Sequence, residues 1–450
     1  MVKPHRPTTA PAAPIEAQRR RFLTSLGALP LAAAVAQTAT PARAATHKTQ
    51  ARIVIAGAGA AGLTAANRLA LALDGAKITV IDPKKQHWYQ PGFTLVAAGI
   101  KPQNYTVSTT ADYLPKGVEL VVEKVAEIDP EGQKVVTDSG KAIGYDFLIV
   151  ALGLELNYAG IEGMDTTRIG QNGMGSIYFG PEAASATYNA MSQFADKGGV
   201  GVFGRPDGEM KCAGAPLKYT FITDDILRRR GHRGKAEMHY MAHAKSLFGV
   251  PIVAEKVRML FEDRGVKVHQ DHVLQAIDLD KRVATFKTPT GTADQAYDFI
   301  NVVPPMRAPA VVRNSPLPWT EGAFAADGWM EVDRDTLRHK RYPNVFGVGD
   351  VAGVPKGKTA ASVKWQVPVA VSHLIGDISG QPSKEIYNGY TSCPMITRLG
   401  QAMLIEFDYK NNLIMSFPGV IAPLEELWIS WVMKTMALKP TYISMLRGRA

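Results

Sequence analysis

RIVIAGAGAAGLTAANRLALAL, residues 52–73, runs from a short β-branched apolar segment through a glycine turn into apolar positions at helical spacing. That order predicts a strand over 52–56, a tight turn at Gly57-Ala58-Gly59-Ala60-Ala61-Gly62 and a helix after it. Glycines permit the turn and the close approach of a pyrophosphate, whose charge the free N–H groups of a helix N-terminus stabilise. A second apolar run, KITVID, ends at Asp82, 20 residues beyond Gly62, where a carboxylate can accept hydrogen bonds from an adenosine ribose. Gly57, Gly59, Ala60, Ala61, Gly62 and Asp82 are therefore candidate dinucleotide-binding residues.

Two later strands bear on which dinucleotide is bound. YDFLIVALG (145–153) closes on Gly153, and YPNVFGVGD (342–350) ends at Asp350. Both resemble motifs of the two-dinucleotide-domain flavoprotein disulfide reductase superfamily. The resemblance implies FAD, with Asp350 on the ribityl side. Lys358, opening Lys358-Thr359-Ala360-Ala361-Ser362, is expected just ahead of a helix aimed at the flavin ring, where a positive helix end stabilises charge on the reduced cofactor. Superfamily members that use NAD(P)H carry a second glycine fingerprint mid-chain. Here VGVFG is followed by Arg205-Pro206-Asp207-Gly208 and no G-x-G-x-x-G, so a nicotinamide donor is not expected.

In place of that fingerprint stands Cys212, in KCAGAP. Pro216 suits a first helical turn, and LKYTFITDDILRRR continues at helical spacing, so the sulfur lies just before a helix N-terminus with Lys211 and Lys218 nearby. Positive potential from both sources lowers a thiol pKa and exposes a nucleophilic thiolate, with Lys218 a candidate stabiliser. The chain has only two cysteines, and the second, Cys393, is expected in a turn-rich loop, YNGYTSCP, ahead of the alternating segment MLIEFDY. In an oxidising compartment the two could equally form a structural disulfide.

GAGAAG, HWYQPGFTLVAAG (87–99), KCAGAPLKY, VVPPM (302–306), YPNVFGVGD and YNGYTSCPMITRLGQAMLIEFDYK (387–410) together resemble the sulfide:quinone oxidoreductases, in the two-cysteine class that includes the mitochondrial enzymes. The resemblance implies catalysis at Cys212 and Cys393. Sulfide opens a bridge between them, Cys393 carries the persulfide and Cys212 faces the flavin. Many bacterial relatives have an earlier third cysteine, in some cases attached to the flavin. None precedes Cys212 here, which implies noncovalent FAD. The electrons pass to quinone such as ubiquinone, and the sulfane sulfur to a small acceptor such as sulfide, glutathione or sulfite. Two rival readings remain open: the flavoprotein subunit of a flavocytochrome c sulfide dehydrogenase, and a nonenzymatic flavin-binding sensor of sulfide or oxidant.

The segment from Pro423 places Leu424, Leu427, Trp428, Trp431, Val432 and Met436 at helical spacing, then breaks at Pro440. It reads as one or two amphipathic helices with interfacial Trp428 and Trp431, fit to lie on a membrane. Phe407 and Tyr409 are candidate quinone-pocket aromatics. His87, His239, His243, His269 and His272 complete no recognisable ligand pattern, so no metal is expected. At the other end, Arg19-Arg20-Arg21-Phe22-Leu23, an apolar run over 22–36 and Ala42-Arg43-Ala44 form a twin-arginine signal with an A-x-A cleavage site. Its removal takes away six Lys/Arg and one Glu, lowering the net charge from +10 to +5. No arginine-rich, aromatic-interleaved stripe argues for nucleic acid.

The expected class is α/β, with two tandem Rossmann-like domains, the second lacking the NAD fingerprint, and a C-terminal amphipathic membrane-associated region. The expected division is a signal peptide over 1–44, FAD-binding parts at 45–160 and 306–385, the Cys212 domain at 161–305 and a C-terminal region at 386–450. The expected setting is periplasmic, peripheral on the outer face of the bacterial inner membrane. Self-association is left open.

Overall fold

The structure, a computed structural model, describes residues 46–450, so the expected leader over 1–44 lies outside the described residues. Strand β1 (Arg52–Ala56) leads into helix α1 (Ala60–Ala72), β2 (Lys77–Ile81), β3 (Glu119–Val121) and β4 (Phe147–Val150). There follow β5 (Met174–Gly175), α2 (Pro181–Lys197), β6 (Gly199–Gly204), α3 (Ala215–Arg229), β7 (Ala236–Met241), α4 (Pro251–Asp263), β8 (Val266–His269) and β9 (Phe299–Asn301). The chain ends with β10 (Val345–Gly347), α5 (Ala360–Ser379), a hairpin of β11 (Thr391–Arg398) and β12 (Gln401–Phe407), and helices α6 (Trp428–Val432) and α7 (Leu438–Leu446).

Two five-stranded parallel sheets result, in the orders β10-β4-β1-β2-β3 and β5-β9-β6-β7-β8. Ile53, Val54, Ile55 and Ala56 are all buried, as parallel strands covered on both faces require. The turn after β1 is fixed sterically. Gly57 has φ +105°, and a Cβ there would stand 2.5 Å from the Ala151 carbonyl oxygen, so the turn nests against the end of β4.

Cys393 corrects one expectation. It lies within β11, paired with Ile405 of β12, and not in a loop. The turn-rich stretch YNGYTSCP predicts a loop, but proline is tolerated in a strand of a two-stranded hairpin that has free edges. A second correction concerns Pro440. The helical path does not break there; a π-turn over Met433–Ala437 joins α6 to α7, and Pro440 sits inside α7. A widened turn just upstream relieves the clash between a proline ring and the carbonyl four residues earlier. No helix among the described residues is long and apolar enough to cross a membrane.

Buried histidines set the acid limit of this fold. Burial pushes His87 and His339 down from 6.5 to about 4, so both are neutral when folded. The unfolded chain binds their protons below pH 6.5, so stability present above that pH is lost as pH falls towards 4, by up to about 3 kcal/mol for each. Denaturant midpoints measured from pH 7 to 4 are expected to fall, and less steeply in His339→Gln.

Candidate functional site

The two cysteines, 181 residues apart, meet because α3 packs on β11. Ten residues separate β6 from α3, where a dinucleotide-binding fold would have a short glycine turn, and Cys212 lies three residues before the helix. Its φ is +47°, a left-handed conformation costing a non-glycine residue about 1–2 kcal/mol. Two contacts hold it there: the Cys212 N–H donates to the Lys358 carbonyl at 2.9 Å, and the Tyr178 hydroxyl donates to the Cys212 carbonyl at 3.1 Å. Gly214 completes the approach. A Cβ at that position would stand 2.2 Å from the Cys393 sulfur, so only glycine lets β11 come this close. Gly214→Ala is expected to push the thiols apart, cost about 1–3 kcal/mol of stability and remove reactivity towards sulfide. Thermal melting and flavin absorbance after sulfide addition check both parts.

Both cysteines are free thiols facing one another. The Cys393 thiol donates to Cys212 and, with the charges of Lys218 and Lys434, holds Cys212 well below the ordinary thiol range despite its burial. Cys393, the donor in that bond and itself buried, is pushed well up. The Lys218 ammonium lies 3.6 Å from the Cys212 sulfur. Burial opposes its charge, but the two sulfurs prevail and its pKa rises. Lys434, in the π-turn, is 3% exposed and donates to the Pro91 carbonyl at 2.8 Å. Burial and the Lys218 charge bring it down to about 7.

Around the first sheet, Ala60, Ala61 and Gly62 form the first turn of α1, and no side chain caps its N-terminus. Cβ atoms built at Gly59 or Gly153 would meet nothing within 4 Å, leaving open space beside that turn. Asp82 spends one oxygen on the Ala58 N–H (2.7 Å) and the other on the Lys84 N–H (2.8 Å). Asp350 is half-buried, its carboxyl raised by burial while Lys211 and Lys358 oppose the shift. Lys358 is 4% exposed, lies 3.6 Å from the Trp329 ring centroid and donates to the Asp350 and Ala352 carbonyls. Burial lowers it to about 8. Lys211 reaches Gln90 at 2.8 Å, tying the Cys212 loop to the first half of the chain. An open helix N-terminus, two flanking acids and a cation fit a flavin dinucleotide.

Residues 51–177 match the pyridine nucleotide-disulphide oxidoreductase family. The mitochondrial sulfide:quinone oxidoreductase of Mus musculus is 35% identical over 380 residues, covering 83% of this chain and 81% of the mouse protein. The chain belongs to the sulfide:quinone oxidoreductase family. The mitochondrial relative from Dictyostelium discoideum is 36% identical over 400 residues, 88% of this chain and 86% of its own. The crystal structure of the sulfide:quinone oxidoreductase from Aquifex aeolicus shares the fold, with TM-score 0.72 at 24% identity over 88% of this chain and 92% of that one. The fold is thus mixed α/β of the flavoprotein disulfide oxidoreductase type, and the cofactor is a flavin.

The remaining expected residues lie on β12, just beyond it and on α6. Phe407 is buried on β12, edge-on to Phe248 with ring centroids 5.7 Å apart and the Lys356 ammonium 5.3 Å from its ring. Tyr409 packs edge-on to Tyr387, its hydroxyl donating to the Arg334 carbonyl at 3.0 Å. Trp428 and Trp431 are half-buried on α6. Sequence reasoning missed Lys434, Tyr178 and Gly214. For Lys434 a signal existed: it is the one charged residue in WISWVMKTMAL, residues 428–438.

Proposed function

We propose that this chain oxidises sulfide at the Cys212–Cys393 pair, with noncovalently held FAD as electron carrier and membrane quinone as final acceptor. The observation that carries the reading is the pair itself: two facing thiols of opposed acidity, with Lys218 at 3.6 Å, at the mouth of the second parallel sheet. In the oxidised pair, hydrosulfide is drawn in by Lys218 and Lys434 and attacks the Cys393 sulfur. The sulfur–sulfur bond breaks towards Cys212, whose low pKa makes it the better leaving thiolate. Cys393 is left as the persulfide, and its sulfane sulfur goes to a small nucleophilic acceptor. Loss of the sulfane sulfur leaves two thiolates, and as Cys212 and Cys393 rejoin in a sulfur–sulfur bond the electron pair leaves from the Cys212 side; a bound flavin would supply the two-electron acceptor there and the link to quinone. Lys358, just ahead of α5, supplies positive charge near the flavin ring, and Tyr178 with Lys211 keeps the Cys212 loop in place.

Noncovalent attachment is supported by the absence of any cysteine beyond the working pair. FAD is cradled by residues of 45–160 and 306–385, the thiol loop belongs to a second Rossmann-like domain over 161–305, and the region 386–450 supplies Cys393 and the membrane face. Phe407 and Tyr409 flank the quinone end. Trp428 and Trp431 lie at the membrane interface, aided by exposed Met415, Phe417, Val420 and Met436. The twin-arginine pattern at residues 19–23 and this apolar face support a periplasmic setting at the inner membrane.

Purified holoenzyme is expected to reduce decylubiquinone with sulfide, and a c-type cytochrome only negligibly in its absence. The reverse preference would contradict the quinone assignment. Phe417→Asp combined with Val420→Asp is expected to weaken sedimentation with lipid vesicles at least tenfold, since each buried apolar side chain contributes about 1.5–3 kcal/mol. Sulfide-driven flavin reduction in solution should be unaltered.

A further inference from the structure

The C-terminal helices reach deeper than membrane attachment requires. Tyr442, on α7, is buried, and its hydroxyl lies 2.7 Å from Nε2 of His87, 355 residues earlier. The same imidazole faces the Ala58 backbone, in the middle of the glycine turn, whose carbonyl favours a proton on the ring against the larger, opposing effect of burial. The Ala58 N–H in turn donates to Asp82, and the Gly57 N–H to the Ile81 carbonyl at 2.8 Å. The Ala58 segment is thus held by Asp82 and faced by His87, and His87 is held from behind by Tyr442. Aromatic packing fixes the chain laterally: Tyr89 stands 4.9 Å from the Tyr442 ring and Tyr113 5.3 Å from His87, centroid to centroid.

The ring has little freedom to exchange these partners. His87 is buried and neutral, so it holds one proton, and with that proton on the nitrogen that faces the Ala58 carbonyl, Nε2 is an acceptor. Tyr442 is then the donor. Other contacts bind the same segment to the first half of the chain: Arg68 donates to the Ala450 carbonyl at 2.7 Å and Lys439 to the Tyr105 carbonyl at 2.6 Å.

We infer that Tyr442 and His87 are positioning residues for the flavin dinucleotide, holding the Gly57–Gly59 turn in the shape that admits the pyrophosphate, so that docking of α7 and retention of the cofactor are coupled. The inference rests on the flavin reading above. Neither residue touches the thiols or takes part in sulfide chemistry.

The test is the rate of FAD release from the full-length holoenzyme, followed by the rise in flavin fluorescence. Tyr442→Phe removes one buried hydrogen bond and leaves His87 Nε2 unsatisfied, so release is expected to accelerate roughly tenfold. His87→Leu should do at least as much, His87→Gln, which keeps a donor and an acceptor, should stay within about threefold of the wild type, and the Tyr442→Phe/His87→Leu double variant should release no faster than His87→Leu alone. Thr441→Ala, on the same helix but bonded only to the Ala437 carbonyl, should release at the wild-type rate. Wild-type release from folded Tyr442→Phe, additive effects in the double variant, or equal acceleration in Thr441→Ala would overturn the inference. Should Tyr442→Phe not fold, the Leu and Gln variants at His87 decide, and equal release from both overturns it. Wild-type protein that purifies without flavin and does not take up FAD would overturn the flavin reading, and this inference with it.

Discussion

Serine at Cys212 or at Cys393 is expected to slow sulfide-driven reduction of the flavin by about a thousandfold or more, with the flavin spectrum and fold retained. The size follows from chemistry, since a serine–cysteine pair cannot form the sulfur–sulfur bond that hydrosulfide must open. The two variants differ in what they leave behind. In Cys393→Ser the remaining Cys212 keeps Lys218 at 3.6 Å and a hydroxyl donor in place of the Cys393 thiol, so it stays a low-pKa thiolate. In Cys212→Ser the remaining Cys393 is buried and held well above the ordinary thiol range. Iodoacetamide at pH 7 should therefore alkylate Cys393→Ser at least ten times faster than Cys212→Ser, because the thiolate is the reacting species. Equal rates would mean that the acidities of the pair are assigned the wrong way round.

The second large effect separates the two lysines. Lys218 is raised by the sulfurs and remains charged through neutral pH, whereas Lys434, brought down to about 7, loses its charge as pH rises past that value. Lys218→Met is expected to raise the alkylation midpoint of Cys212 by about one to two units, each worth 1.36 kcal/mol, and to slow flavin reduction at pH 7 about tenfold or more. Lys434→Met should lower Cys212 reactivity below pH 7 and leave it unchanged above pH 8, where the wild-type side chain is already neutral. Profiles of alkylation rate from pH 5 to 9 check both. A Lys434→Met profile displaced equally at every pH would show that the lysine acts through packing and not through its charge.

How much of this was legible in the sequence depended on how local each signal was. β1, the glycine turn, α1 and Asp82 lie within about thirty residues, and each rests on spacing the chain carries by itself. Cys212 was legible for the same reason: Pro216 marks the helix start, and the missing fingerprint marks the place. Cys393 is legible as a partner but reads as part of a loop, because the turn-rich stretch YNGYTSCP (387–394) precedes the alternating residues of the strand. A break in the C-terminal helices is expected at Pro440, yet the helical path continues through it and the backbone adjusts one turn earlier. Lys434 was passed over because a single lysine on an amphipathic helix reads as solvated. Only the docking of that helix against Pro91 turns it towards the thiols. Tyr442 and His87 lie 355 residues apart, and nothing in either neighbourhood announces the other.

On the proposed route, sulfide electrons reach quinone through the cysteine pair and the flavin. Anaerobic addition of sulfide to the purified holoenzyme, followed at the flavin absorbance band and then by a short-chain ubiquinone, tests it most directly. Bleaching by sulfide and full recovery with quinone are expected in the wild type, with no bleaching in either serine variant. Undiminished flavin absorbance in the wild type after sulfide, or bleaching that survives in Cys212→Ser, would contradict it.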